Sequence, residues 1–580
     1  MIQVKGSVVR VAVMALLGLS VFLASVCAAP VDEFRELRMQ NGGQLAEQQR
    51  FLLTTDRAVI LTFGGLSKEL PLRNILNYMA SEKLRGSFFV TERELGRNQD
   101  NIQLIREYGQ DLAIGLVPTR EGDFYYYCGQ IQRIRSALNQ AYGFDSSFVR
   151  IMSAGGDADA MREAVSAMGC TLVGQGLNVV QSKHRSAQSP EEVMPQIFGK
   201  WTTSLNRGEI VYLRTDFYDN DFLAAQMLQA IKEQKIDNIA YAPQSQQGTG
   251  EENDYSYHTA SLADVGSEGY LGYSYPVNVQ ALPEEMQPDY GTNWVTEENF
   301  TEAFLSRYIG APEVNVNDRM LNFSRSQMIY ADKTGLIKNA PPKTVFLTFD
   351  DWGNDDSINK LLYVLHKHKV HGTFFIITRN MLNNPNLLRA IALEGNEIGS
   401  HTNNHMAMAT YDEHNNMIPG EDAAEYWEDV ATSYPKLLSV VGDIRLENNR
   451  PALTRLLRPP TLAVSKMGVQ TILNAGFTYI VNGSGSTEDY GAVSLQSLVG
   501  IMNNIVHDKK GNVQRGAILI MHMSSTAPLT PIALDILLTA NDRLPEGHPG
   551  KFKVGLLGDY LNDGYDQRMK MDKTRNPRDY

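Results

Sequence analysis

Apolar positions fall into short continuous runs alternating with longer, helically spaced stretches. Ala58-Val59-Ile60-Leu61-Thr62-Phe63 has the length of a buried strand and stops at Gly64-Gly65. From Pro71 to Leu84, residues Leu72, Ile75, Leu76 and Met79 share one helical face. Gly86-Ser87-Phe88-Phe89-Val90 is the next short run. Strand, helix, strand in this order predicts parallel β/α architecture. The second half repeats the order. Thr344-Val345-Phe346-Leu347-Thr348-Phe349 leads to a helix over Ile358, Leu361, Leu362 and Leu365, capped by Asp356 or Ser357, and then to Gly372-Thr373-Phe374-Phe375-Ile376-Ile377.

The spacings repeat as well. Phe63 stands to Phe88 as Phe349 stands to Phe374, and Arg150 to Arg214 as Arg458 to His522. Ile114-Gly115 matches Ile398-Gly399, Phe148-Val149-Arg150 matches Leu456-Leu457-Arg458, and Arg207 to Ile210 matches Arg515 to Ile518. Several coincidences in one order predict a duplicated domain. The copies differ in their polar residues. Asp350-Asp351 correspond to Gly64-Gly65, His401 and His405 to Val117 and Glu121, and His522 to Arg214. The first copy therefore reads as a scaffold or a substrate-binding unit.

This pattern divides the chain into an export signal (1–29), a degenerate domain (51–243), an irregular linker (244–342), a second domain (343–560) and a charged tail (561–580). Residues 31–50 read as a tether or a short helix. Lys5 and Arg10 precede an apolar stretch from Val11 to Val26, with cleavage expected after Ala28 or Ala29. An uncleaved anchor and a lipoprotein through Cys27 are the alternatives. No later run has the length of a membrane span. In the linker, Tyr270, Tyr273 and Tyr275 suit packing or sugar stacking. Thr296 is placed to cap a helix carrying Phe300, Ala303, Phe304 and Tyr308. Lys551 to Leu557 reads as a closing strand, and the tail as solvated and partly disordered.

The chain is 580 residues long, 43% hydrophobic and 21% charged, which suffices for more than one core. The net charge of −13 argues against nucleic acid or anionic lipid as a partner. With Cys27 removed, Cys128 and Cys170 leave one disulfide or two free thiols.

The candidate chemistry sits in the second copy. Asp350-Asp351 end a buried strand, where parallel β/α folds open their active face. A helix N-cap pair is the alternative reading. His401 and His405, at i and i+4, put both rings on one side of a helical turn. With Asp351 they are a ligand set for a divalent ion. His366, His368 and His371 read as solvated.

Thr348-Phe349-Asp350-Asp351, Ser400-His401-Thr402-Asn403-Asn404-His405, Arg458-Pro459-Pro460 and Leu519-Ile520-Met521-His522 resemble, in order, motifs of the polysaccharide deacetylase (NodB-homology, carbohydrate esterase 4) family. The resemblance covers about residues 340–560. It implies an α/β fold, here two tandem distorted (β/α) barrels, and removal of N-acetyl or sometimes O-acetyl groups from glycans. It makes Asp351, His401 and His405 the metal ligands, with Zn2+ favoured over Co2+, Mn2+ or Ni2+. Asp350 becomes the general base, His522 the general acid and Arg458 the support of Asp350. The Thr461 N–H is the candidate oxyanion donor, because Pro459 and Pro460 have none. Trp352-Gly353 replaces the usual Gly-Pro, and Trp352 stacks on a sugar or packs its loop. The usual Asp-Trp motif is only partly present as Glu488-Asp489-Tyr490, where Asp489 is expected to orient Arg458. The implied protein is secreted or resides in the cell envelope and acts on an acetylated glycan. An O-acetyl esterase, another C–N hydrolase or a glycan-binding protein are the alternatives. Oligomeric state is open.

Overall fold

The computed structural model describes residues 31–199, 202–243, 253–266, 272–274, 276–277, 294–310, 320–414, 416–420, 422–491 and 493–561. The expected export signal, the start of the linker at 244–252, Tyr270, Tyr275 and the tail from 562 lie outside these residues. The chain forms two compact units. The first is Met1–Asp237 with Tyr257–Gly272, and the second is Asn238–Ser256 with Tyr273–Tyr580. No helix of the described residues is long and apolar enough to cross a membrane.

The first unit is built on eight strands: β1 (Ala58–Gly64), β2 (Ser87–Val90), β3 (Asp111–Leu116), β4 (Phe148–Ile151), β5 (Thr171–Leu172), β6 (Leu177–Asn178), β7 (Ile210–Arg214) and β8 (His258–Ala260). Their order is β5-β4-β3-β2-β1-β7-β6, with β8 on the N-terminal half of β1. All pairings are parallel. Helices α1 (Glu69–Ser81) and α2 (Phe124–Tyr142) are among the connections that parallel pairing requires. Residues 31–41 form a helix, held by two hydrogen bonds from Arg38 to Glu163 at 2.8 and 2.9 Å.

The second unit has a nine-stranded sheet and two small ones. The strands are β9 (Tyr308–Ile309), β10 (Met320–Leu321), β11 (Thr344–Asp351), β12 (Thr373–Ile376), β13 (Glu397–Ser400), β14 (Ala409–Tyr411), β15 (Met417–Pro419), β16 (Leu453–Leu457), β17 (Val464–Ser465), β18 (Tyr479–Val481), β19 (Gly485–Ser486), β20 (Ile518–His522) and β21 (Lys553–Gly555). The large sheet runs β19-β20-β11-β12-β13-β16-β18-β9, with β21 on the start of β11. β10 pairs with β17, and β14 with β15. The central strand, its two neighbours and the extra strand at its N-terminal half recur in both sheets. Register recurs too: Phe63 pairs with Phe88 and Gly64 with Arg214, as Phe349 pairs with Phe374 and Asp350 with His522. Neither sheet path closes among the described residues, so each unit is a half-barrel wrapped by helices.

Period-two alternation along β11 fixes what faces what. Val345, Leu347 and Phe349 pack outward with Leu361, Leu362 and Leu365 of α3 (Asp355–Lys367). Phe346 packs inward with Phe375, Leu456, Val481 and Ile518. Asp350 shares the parity of Phe346 and Thr348, so it stands at the inner, C-terminal end of the strand.

Several local expectations need correction. The cap of α3 is Asn354, one turn before the first apolar residue, rather than Asp356 or Ser357. Asn299, not Thr296, is the N-cap of the helix Phe300–Arg307; its side-chain oxygen accepts from the Thr296 N–H at 2.7 Å. Tyr308 has already left that helix for β9. The closing strand shrinks to Lys553–Gly555. Of the two readings offered for Tyr273, packing is the one observed: its hydroxyl donates to Asn386 at 2.9 Å and Arg389 lies over its ring. Of the two alternatives for Cys128 and Cys170, free thiols are observed, pushed up to about 12 and about 11 by burial. His368 is not solvated. Its Nδ1 lies 2.6 Å from Asp542 and its Nε2 2.7 Å from Asp535, both on the helix α5 (Thr530–Asp542) or its last residue.

Candidate metal and acyl-transfer site

The two terminal carboxylates of β11 diverge. Asp350 points inward, is 2% exposed, and accepts a hydrogen bond from Arg458 Nη1 at 2.7 Å. Asp351 leaves the strand at φ +80°, which turns its carboxylate the other way. Its Oδ1 stands 3.7 Å from His401 Nε2 and 3.5 Å from His405 Nε2. Among the described residues, these three form the group able to hold a metal ion. Donor atoms bound tetrahedrally at about 2.0–2.1 Å are separated by about 3.4 Å, close to both Asp351–histidine separations, and all three donor atoms lie within 4.8 Å of one another.

The donor set fits chemically as well. His401 Nδ1 is 2.8 Å from the carbonyl oxygen of Arg458. A carbonyl only accepts, so Nδ1 carries the proton and Nε2 offers its lone pair. Burial pulls the His401 pKa down to about 4, which keeps the ring neutral. The expected helical turn between the histidines is absent. Residues 401–405 form a loop, with Thr402 at φ +63° and His405 at φ +61°. The rings nevertheless meet edge to face, 4.8 Å apart.

Arg458 is fully buried and ties the C-terminal ends of β11 and β18 together. Nε donates to the Val481 carbonyl at 3.0 Å and Nη2 to the Asn482 carbonyl at 2.7 Å. Nη1 donates to Asp350 and to Thr348 Oγ1, each at 2.7 Å. The guanidinium also lies 4.3 Å from the centre of the Phe375 ring. Burial lowers its pKa, opposed by the charge of Asp350.

Asp489 does not reach Arg458 as expected; it belongs to His522. Its Oδ1 is 2.7 Å from His522 Nδ1, and its Oδ2 accepts from the His522 N–H at 2.9 Å and from Thr530 Oγ1 at 2.5 Å. The carboxylate fixes the Nδ1–H tautomer and leaves Nε2 for the cleft. Burial works against the charged ring, but the Asp489 hydrogen bond and the nearby carboxylates outweigh it and raise the His522 pKa. β11–β20 pairing sets His522 beside Asp350. Tyr490 touches the His522 ring edge-on at 4.8 Å and is 56% exposed. Trp352 packs against the outer core of the unit and remains partly exposed. Thr461 is exposed, at φ +59° in the turn after Pro460.

The corresponding place in the first unit is filled. Arg150 donates to the Gly174 carbonyl at 2.6 Å, as Arg458 does to Asn482, but its guanidinium lies 3.6 Å from the centre of the Tyr212 ring. A Cβ on Gly64 would meet the Tyr212 hydroxyl at 2.5 Å, and one on Gly65 would meet Asp216.

Residues 337–480 match the family model described as polysaccharide deacetylase. That span includes Asp350, Asp351, His401, His405 and Arg458; Asp489 and His522 lie beyond it. The chain is 30% identical over 180 residues to a peptidoglycan-N-acetylglucosamine deacetylase of Bacillus cereus, covering 31% of this chain and 55% of that protein. It is 38% identical over 74 residues to the peptidoglycan-N-acetylmuramic acid deacetylase PdaA of Bacillus subtilis, covering 13% and 28%. It is 41% identical over 63 residues to a chitooligosaccharide deacetylase of Bradyrhizobium, covering 11% and 29%. The chain thus spans about half or less of the length of these curated relatives.

Proposed function

We propose, from the match of residues 337–480 to the polysaccharide deacetylase family, that the second unit removes N-acetyl groups from an amino-sugar polysaccharide with a divalent ion held by Asp351, His401 and His405. The carrying observation is the convergence of that ligand set with two separately supported acid–base groups, Asp350 on Arg458 and His522 on Asp489. A bound ion of this kind polarises the acetyl carbonyl and acidifies a water. Asp350, oriented by its hydrogen bond from Arg458, takes the proton of the attacking water. His522 gives a proton from Nε2 to the departing sugar amine, while Asp489 stabilises the charged ring. Thr461 N–H is the proposed oxyanion donor, and Tyr490 and Trp352 are proposed to border the sugar.

Zinc is the preferred ion, from the two nitrogens, one oxygen and their spacing. The first unit is proposed to be a copy that has lost this chemistry, supported by the shared register and by Tyr212 in the place of a carboxylate. Export to the cell envelope is proposed from the apolar N-terminal stretch and from the cell-wall substrates in the relatives' names.

The test is acetate release by purified residues 31–580 from peptidoglycan, chitin-type oligomers, poly-N-acetylglucosamine and acetylxylan. Release from an N-acetylated polymer, abolished in Asp350→Asn and His401→Ala, is expected. Full activity in either variant would sink the assignment, and release from acetylxylan alone would make the protein an esterase.

A further inference from the structure

The loop that carries His401 and His405 holds two non-glycine residues in the left-handed region, Thr402 and His405 itself. Side chains with a Cβ adopt that conformation when their surroundings impose it. His405 is half-exposed and its ring is aimed by backbone conformation more than by packing. Something must hold the backbone.

Behind the loop runs α4 (Ala423–Val441), with Leu437, Leu438, Val440 and Val441 in the core. Asp429, Ser433 and Lys436 stand at i, i+4 and i+7, one face of that helix. Each engages the loop. Asp429 Oδ1 accepts from the Asn404 N–H at 2.5 Å, and its backbone carbonyl accepts from the Asn403 N–H at 3.2 Å. The Ser433 hydroxyl accepts from Ser400 Oγ at 2.7 Å; Ser400 in turn accepts from the Thr402 N–H at 3.1 Å. Lys436 Nζ donates to Asn403 Oδ1 at 2.7 Å. Within the loop, the His405 N–H donates to Thr402 Oγ1 at 3.1 Å. Asp429 is 2% exposed, and its second oxygen, Oδ2, is buried without a hydrogen bond of ordinary geometry. A buried carboxylate oxygen left so is unfavourable for stability. The residue is better explained by what it holds.

We infer that Asp429, seconded by Ser433 and Lys436, is the positioning residue of the metal centre: it clamps the Thr402–His405 turn so that His405 Nε2 stands 3.5 Å from Asp351 Oδ1. The inference rests on the reading of Asp351, His401 and His405 as metal ligands. Groups that orient ligands without touching the metal change affinity by about 10- to 100-fold when removed.

The test uses the full chain, stripped of metal with a chelator and titrated with Zn2+ against a chromophoric competitor, and in parallel with Co2+ followed by its visible absorption. Asp429→Ala is expected to weaken Zn2+ binding by about 10- to 100-fold and to alter the Co2+ bands. Asp429→Asn keeps an oxygen acceptor for the Asn404 N–H and is expected to restore both. Leu437→Ala removes a core side chain of the same helix; it should lower the melting temperature and leave affinity and bands as in the native chain. If Asp429→Ala fails to fold, Lys436→Met takes its place, with weaker binding expected. Native affinity in the clamp variants, or an equal loss in Leu437→Ala, overturns the role of Asp429. A native chain that takes up no ion overturns this role together with the reading beneath it.

Discussion

Arg150 lies 3.6 Å from the centre of the Tyr212 ring, where the matching Arg458 instead donates to Asp350 at 2.7 Å. Both guanidiniums keep the bond to a carbonyl 24 residues onward. What differs is the occupant of the central strand end. Gly64 has no carboxylate to offer, and the tyrosine face takes the cation. The arginine therefore packs on an aromatic face in one unit and holds a buried carboxylate in the other.

One ion per chain is the expected stoichiometry. The first unit offers Gly64, Gly65, Val117 and Glu121 where the second has its two aspartates and two histidines. Metal analysis of the full chain should give one bound ion, falling toward none in Asp351→Asn. Gly64→Asp should not create a second site, because its Cβ would meet Tyr212 at 2.5 Å and Met152 at 2.7 Å. Overpacking of this kind destabilises by about 1–3 kcal/mol, which a thermal melt would register. Two ions in the native chain would contradict the filled site.

Arg458 should not be replaceable by lysine. Its three nitrogens serve four acceptors in a fixed fork, a geometry one ammonium cannot reproduce. Arg458→Met leaves Asp350 buried without its cation, a loss of about 3–5 kcal/mol in stability. A fall in kcat of about 100- to 1000-fold is expected by analogy with loss of a preorganised donor. Adding Asp350→Asn to Arg458→Met should recover part of the stability, since the uncompensated charge is gone. Denaturant melts of the two single variants and the double variant check this.

Much of the frame was legible because β-strands have a period of two and parallel neighbours keep register. The Phe349–Phe374 and Arg458–His522 spacings mark β11, β12, β20 and the end of β16. Asp489 departs from its expected place beside Arg458 because its partner depends on the path of residues 483–491, which no periodicity describes. The four-residue spacing of His401 and His405 suggests a helix, but the loop reaches the same proximity through two left-handed residues. Asp429, Ser433 and Lys436 form a polar stripe along one face of α4. That stripe faces a loop instead of water, and sequence spacing alone does not distinguish the two.

His368 should matter for stability and not for metal binding. Both its ring nitrogens face carboxylates, Asp542 and Asp535, and Lys367 Nζ shares Asp535 at 2.7 Å. Tyr241 donates to the same Asp535 at 2.8 Å. His368→Leu removes both ring bonds at a site whose side chain is nearly buried. A loss of about 1–3 kcal/mol is expected, with Zn2+ affinity unchanged in a competition titration.

The pH profile should reveal the Asp489–His522 pair. A general acid works while protonated, so activity falls as pH rises through the His522 pKa. In the native protein that pKa is raised above the ordinary histidine value, burial being outweighed by the Asp489 hydrogen bond and the neighbouring carboxylates. The alkaline limb of kcat/KM should therefore lie above the ordinary imidazole range. Asp489→Asn removes the charge but keeps an oxygen for Nδ1–H, so the tautomer survives while the imidazolium loses its counter-charge. The limb should then move to lower pH, back toward the ordinary imidazole range, and kcat at neutral pH should fall because less of the ring is protonated. Lowering the pH should recover part of the lost rate in the variant, whereas a purely structural defect would scale the whole profile without moving it. An alkaline limb that stays in place in Asp489→Asn would show that His522 is not the group whose proton loss ends activity.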